Sequence, residues 1–219
     1  MRYEFLCHTL SDDLNPVYGG HKSIAIERLK SIEGGDSANV SSFTMENHWG
    51  THVDAPNHFF EHGIRVSEYP AEFWFFKNPQ VIQVELKPSE VISALPEISL
   101  QADMLLIQSG WCSCRHEDVY VKENPGIDPA VGFSLRSKFP RLRAVGLDWI
   151  SVSPYTDRTL GRLTHRAFLD PEGQGSPILL VEDMDLSMTL DALREVVVLP
   201  LRISGLDSAP CTIIGQFDD

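Results

Sequence analysis

Three histidines and an aspartate crowd into eleven residues, His48-Trp49-Gly50-Thr51-His52-Val53-Asp54-Ala55-Pro56-Asn57-His58, of a chain with eight histidines in all. Imidazole and carboxylate make up the ligand sets of zinc, manganese and iron sites. His48, Gly50, His52 and Asp54 are spaced by two, so an extended strand would set them on one face. A straight strand would still not gather them. At about 3.3 Å per residue, His48 and His52 would stand roughly 13 Å apart with parallel side chains. Donors to one ion must converge to within about 3–4 Å. The chain near residue 50 must therefore bend. Gly50 is the residue that permits a bulge or close backbone approach. Pro56 turns the chain again, so that His58 approaches from another direction.

The remainder of the chain bounds what such a cluster can serve. At 219 residues without internal repeats, the chain reads as a single domain over 1–219. Hydrophobic residues at 42% and charged residues at 22% are globular proportions, which excludes general disorder. Eighteen Lys and Arg against 31 Asp and Glu leave a net charge of −13. Such a chain repels phosphate backbones and lacks the basic face that anionic lipid attracts. Nucleic acid and membrane surfaces are thereby excluded as main partners, and a small molecule is expected. No run reaches the roughly 18 apolar residues of a membrane span, and the first residues lack the pattern of a signal peptide. Cys7, Cys112, Cys114 and Cys211 read as reduced thiols, which points to the cytoplasm. Cys112 and Cys114, with His116 close by, are one residue apart instead of the two usual in structural zinc sites.

Apolar runs and capping signals predict alternating strands and helices. Strands are expected over 81–86, 104–108, 144–147, 178–181, 196–203 and 211–214. Helices are expected over 89–95, 128–139 and 163–169, with a further helical start at 190–196. Asp128-Pro129 has the acidic cap and first-turn proline of a helix N-terminus. Continuous apolar strands argue for an α/β domain with mixed, largely buried sheets. Residues 11–40, with Gly19-Gly20 and Gly34-Gly35, read as a long irregular segment and hence a lid or binding loop. Phe73-Trp74-Phe75-Phe76 reads as core or a subunit interface, and Phe59 and Phe60 follow the histidine motif closely enough to line a pocket.

The pattern His-x-Gly-Thr-His-x-Asp-x-Pro-x-His resembles the signature of the cyclase family of metal hydrolases, which includes bacterial kynurenine formamidase and isatin hydrolase. Weaker likenesses follow in family order: Gln108-Ser109-Gly110-Trp111, Ala144 to Asp148, His165 to Leu169, Ile178 to Glu182, and Leu199-Pro200-Leu201 through Asp207-Ser208-Ala209-Pro210. The resemblance implies a swivelling β/β/α fold, often dimeric or tetrameric, and one or two divalent ions per chain, zinc first and manganese second. By position, His48, His52 and Asp54 match ligands of a first metal. Asp54 matches a bridging carboxylate, His165 and Glu182 match ligands of a second metal, and His58 matches the general acid/base. The implied activity is hydrolysis of an amide, formamide or lactam C–N bond. The chain departs from the family at Trp149 to Ser153, where Thr-Pro-Ser-Val-Asp is common, and at Cys211-Thr212, where an arginine often stands. Formamidases place a tryptophan near the lid; here Tyr18 stands in that neighbourhood and is a candidate substrate contact with Phe59 and Phe60. Two alternatives stand beside this reading. His52, Asp54 and His165 fit the two-histidine, one-carboxylate set of non-haem iron oxygenases, and a non-catalytic metal or ligand-binding protein fits the same scaffold.

Overall fold

Met104-Leu105-Leu106-Ile107 has no polar face, so it is stable only in a sheet covered on both sides. In the computed structural model, which describes residues 1–218, all four are fully buried in that setting. The chain opens with β1 (Arg2–Phe5) and two hairpins, β2 (Leu14–Val17) with β3 (Gly20–Ser23) and β4 (Ala25–Lys30) with β5 (Val40–Thr44). There follow β6 (His52–Asp54), β7 (Phe75–Phe76), β8 (Pro79–Gln83), β9 (Val91–Ile92) and β10 (Met104–Gln108). Next come α1 (Asp118–Lys122), β11 (Gly126–Ile127), α2 (Pro129–Lys138), β12 (Ala144–Leu147) and α3 (Arg158–Leu169). The chain then forms β13 (Leu179–Glu182), β14 (Leu193–Pro200) and β15 (Ser208–Phe217).

Nine strands make one mixed sheet in the order β7-β14-β15-β6-β13-β12-β10-β8, with β1 paired to β15. β8, β10, β12 and β13 run parallel, with β9 in the first crossover, α1 and α2 in the second and α3 in the third. From β13 through β6 and β15 to β14 the pairings are antiparallel. Alternation along the strands divides the core in two. Leu105, Val145, Leu147 and Leu180 pack with Val131 and Leu135 of α2 and Phe168 of α3. Leu106, Val53, Val181 and Ile213 pack with Trp74 and Phe76 on the opposite side. This is the mixed α/β architecture with a largely buried sheet that the sequence predicts.

Local chemistry explains the helix ends. Asp128 accepts a hydrogen bond from the Ala130 N–H at 2.8 Å, and Pro129 opens α2. Asp157 does the same for the Thr159 and Leu160 N–H groups at 3.1 and 2.9 Å, so α3 starts five residues ahead of the predicted Leu163.

Three expectations are corrected. Residues 89–95 form no helix: Ser89 has φ of +58°, Val91–Ile92 pairs with Gly126–Ile127, and Pro96 stops any helical continuation. Residues 193–196 belong to a strand, because the β-branched run Val196-Val197-Val198 extends backwards through them. Residues 11–40 are not irregular but hold two hairpins, the first turning at Gly19 with φ of +84°. Within β4 and β5 every residue is exposed, and Ile26 pairs with Phe43 across the two strands. All four cysteines are free thiols, and among the described residues no helix is long and apolar enough to cross a membrane.

Close packing ties α3 to the segment after β12. A Cβ added at Gly161 would stand 2.2 Å from Ser153 Oγ and 2.9 Å from the Ser153 Cα. Gly161→Ala gains helix propensity but must push α3 outward. We expect a net loss of about 1–3 kcal/mol in urea unfolding. Unchanged stability would show that the contact is slack.

Candidate functional site

The site begins with the bend at residue 50. Gly50 has φ of +64°, a conformation glycine adopts without Cβ cost, and a Cβ there would stand 2.5 Å from Leu10 Cδ2. The chain before β6 folds back as the sequence requires, and the rings of His48 and His52 lie 5.2 Å apart. β6 is held between β13 and β15. Its antiparallel register sets His52 opposite Glu182, and Asp54 opposite Leu180 and Ser208. Cross-strand partners share a face, so Glu182 is delivered to His52 by pairing alone. One 3-10 turn, Pro56–His58, carries His58 back until its ring lies 4.3 Å from that of His48. The buried face of α3 supplies His165.

These groups converge on two buried carboxylates. His48 Nδ1 lies 3.1 Å from Asp54 Oδ1. His52 Nε2 lies 3.6 Å from Asp54 Oδ1 and 3.5 Å from Glu182 Oε2. His165 Nε2 lies 3.6 Å from both Asp54 Oδ2 and Glu182 Oε1. His52, Asp54 and Glu182 offer donor atoms all within 4.8 Å of one another, and so do His48, Asp54 and His58.

The imidazoles are preset as donors. His52 Nδ1 faces the Gly50 carbonyl at 2.8 Å, and His165 Nδ1 faces the Gly161 carbonyl at 3.0 Å. A carbonyl only accepts, so each Nδ1 carries a proton and each Nε2 is turned toward the carboxylates, protonated while no cation is bound and open to an ion once that proton leaves. Glu182 Oε1 accepts from the Val152 N–H at 2.8 Å and the Ser151 hydroxyl at 3.1 Å. Neither Asp54 oxygen has a hydrogen-bond partner, although both are buried. A buried carboxylate in that condition is costly unless a cation answers it. Donor type, convergence and the orphaned Asp54 oxygens together fit a divalent metal ion.

The electrostatics agree. Burial disfavours charge on His48, but Asp54 and Asp207 beside it prevail and raise its pKa to about 10. Burial also opposes charge on His165, and Asp54 and Glu182 likewise raise it to about 10. For Glu182, burial is outweighed by His165 and His52, which hold the carboxyl at about 2. Protons on the imidazoles thus stand in for a cation. Burial pushes Tyr18 up to about 12, so its hydroxyl stays neutral and donates to the Pro154 carbonyl at 3.2 Å.

The cluster floors a cavity of about 300 Å³, bordered by Tyr18 and Phe59. His48, His52, Asp54, His58, His165 and Glu182 all line it. Phe60 does not: the turn after His58 directs Phe59 inward, stacked on His165 at 4.8 Å, and sends Phe60 out beneath the Arg166 guanidinium at 4.4 Å. Asp148, the other carboxylate at a strand end, is structural and accepts from Ser109 and Gly110 N–H groups at 3.0 and 2.8 Å. Sequence reasoning missed Asp207. Its Oδ2 lies 2.7 Å from His58 Nδ1 and 3.2 Å from His48 Nε2. No spacing rule links residues 149 positions apart; its place at the head of β15, beside β6, does.

The family model for Cyclase matches residues 5–154. Kynurenine formamidase of Geobacillus thermodenitrificans (strain NG80-2) is 29% identical over 208 residues, 91% of this chain and 90% of that protein. Isatin hydrolase A from Labrenzia aggregata, solved with benzyl benzoate bound, superposes with a TM-score of 0.78 over 100% of this chain and 94% of that one, at 19% identity. A predicted metal-dependent hydrolase from Bacillus stearothermophilus gives 0.72 over 98% and 97%, also at 19% identity. The fold is shared from end to end, and the family match covers more than half of the chain and runs through the histidine motif: the chain belongs to the cyclase family.

Proposed function

We propose that the chain hydrolyses an amide, formamide or lactam C–N bond of a small molecule. In this reading His48, His52, Asp54, His165 and Glu182 hold one or two divalent ions, and His58 is the general acid/base. Its relatives include a kynurenine formamidase, isatin hydrolases and a predicted metal-dependent hydrolase, which support this reading. The observation that carries the assignment is Asp54, whose two buried oxygens lack hydrogen bonds inside a ring of imidazoles. The oxygenase alternative would leave His48 and His58 without roles, although both stand in the cluster. Imidazole-rich donors favour zinc, with manganese second. Free thiols suit the cytoplasm.

A divalent ion in this set would polarise a substrate carbonyl and lower the pKa of a bound water from about 16 to about 7. The protein supplies the proton path. His58 donates its Nδ1–H to Asp207, which leaves Nε2 as the base. Nε2 takes a proton from water as its oxygen bonds to the carbonyl carbon. It returns that proton to the nitrogen as the C–N bond breaks, giving an acid and an amine, or both on one opened ring. Burial opposes charge on Asp207, yet hydrogen bonds from His48 and His58 hold its carboxyl far below the usual range. It therefore stays anionic and steadies the imidazolium. Phe59, flat against His165, shields that ligand from water.

The β4–β5 hairpin supports a homo-oligomer, a dimer or tetramer. Ile26 and Phe43 are 52% and 62% exposed, and a lone two-stranded hairpin is marginal in water. Phe43→Asp with Ile26→Asp should shift the mass from light scattering toward the monomer. A wild type that is already monomeric would refute this.

His58→Ala should lower kcat by about 10²–10⁴ on a formamide or lactam substrate, and Asp207→Asn by about 10–10². His58→Ala turnover near wild type, with normal metal content, would remove His58 from the mechanism. Zinc binding to chelator-treated protein at pH 7 should release protons, because His48 and His165 hold them up to about pH 10. Their raised pKa values add stability below the unfolded value of about 6.5, lost as pH rises towards 10. Metal-free protein should therefore melt lower as pH rises from 6.5, whereas zinc affinity should climb. Calorimetry in buffers of different ionisation heat reads the released protons, and none released would show neutral imidazoles.

A further inference from the structure

The cavity is bordered by two arginines that the chemistry above does not use. Arg158 and Arg162 both line it, one turn apart on α3. With His165 they are spaced by four and three, so all three share one face of the helix. At 1.5 Å of rise per residue, Arg162 lies about 4.5 Å and Arg158 about 10 Å along the axis from His165.

Most of their donors have no protein partner among the described residues. Among the described residues, neither arginine has an ion pair. Arg162 donates one hydrogen bond, to Thr159 Oγ1 at 3.2 Å. Arg158 makes no hydrogen bond among the described residues; its guanidinium stands 6.0 Å from the ring centroids of both Tyr18 and Tyr155. Those two rings meet edge to face at 5.3 Å and form a platform for it. The neighbouring carboxylate, Asp157, is occupied with capping α3. Elsewhere, arginines of this chain find acids or carbonyls: Arg115 binds Asp183, and Arg136 binds three backbone carbonyls. In a chain of net charge −13, these two guanidiniums stand on a cavity wall where they can attract an anion.

We propose that Arg158 and Arg162 form a carboxylate-binding subsite, so that the preferred substrate is an amide or formamide with an acidic arm reaching about 5–10 Å from the scissile carbonyl. The proposal rests on the hydrolase reading above and narrows it. Neutral lactams without such an arm would be poor substrates. Guanidinium and carboxylate match in bidentate geometry, and the arm would lie along α3 over Tyr18.

The test has two parts. First, chelator-treated protein is titrated at low salt with 4-phenylbutanoate and with neutral 4-phenylbutanamide. We expect the acid to bind at least about tenfold tighter, and Arg158→Gln/Arg162→Gln to abolish the difference. Both positions are exposed, and a thermal melt verifies that the variant is folded. Second, metal-loaded wild type is given 4-(4-formamidophenyl)butanoate and its primary amide. The ratio of kcat/KM, acid over amide, should be about ten or more and should fall towards one in the double variant. Equal binding and equal turnover of acid and amide would overturn the subsite, as would a preference that survives in the variant. Tight, arginine-dependent binding with no turnover of either compound would uphold the subsite and count against the hydrolase reading alone.

Discussion

A buried carboxylate surrounded by imidazoles governs the rest of this structure. Asp54 is almost wholly inaccessible, and its two oxygens are met by ring nitrogens of three histidines at 3.1–3.6 Å without a hydrogen bond. Such a group is tolerated only where positive charge is close, whether as protons or as a metal ion. The demand explains otherwise unrelated features. Gly50 must be left-handed to fold His48 back over the site. The Gly50 and Gly161 carbonyls must point at Nδ1 atoms to turn Nε2 inward. β6 must lie between β13 and β15, because only that register presents Glu182 beside His52.

A second buried charge system braces the first. Asp183 follows Glu182 with φ of +53°, and its carboxylate accepts from Arg115 Nε at 2.9 Å and the Tyr120 hydroxyl at 2.5 Å. The Thr51 hydroxyl donates to the Asp183 carbonyl at 2.5 Å. The end of β13 is thus tied to the segment after β10 and to the residue before His52. Removing one partner of a buried ion pair leaves an uncompensated charge and costs about 3–5 kcal/mol, so Arg115 and Asp183 are held together. Here the arrangement held in place is the position of Glu182 relative to His52.

Much of the fold was legible where local physics decides alone. Continuous apolar runs at 104–108 and 144–147 became buried parallel strands. Asp128-Pro129 capped α2 because a carboxylate answers free N–H groups whatever surrounds it. Reading failed where tertiary context outweighed local preference. Residues 89–95 had helical spacing, but Val91 and Ile92 found a strand partner in Gly126 and Ile127. Residues 11–40 carry turn signals that fit a single irregular loop equally well, and only strand pairing shows that they punctuate two hairpins.

The site divides along the same line. The eleven-residue motif by itself determined the donor types, the need for a bend and the place of that bend, because strand rise and ligand distance are incompatible without it. Folding alone decided which distant groups join them. Asp207 reaches His58 because β15 pairs with β6, Arg158 and Arg162 border the cavity because α3 packs against the segment after β12, and Phe60 turns away because one 3-10 turn rotates it past the opening. Each of these depends on strand register or helix rotation, quantities set by packing over the whole chain, which no short stretch of residues encodes.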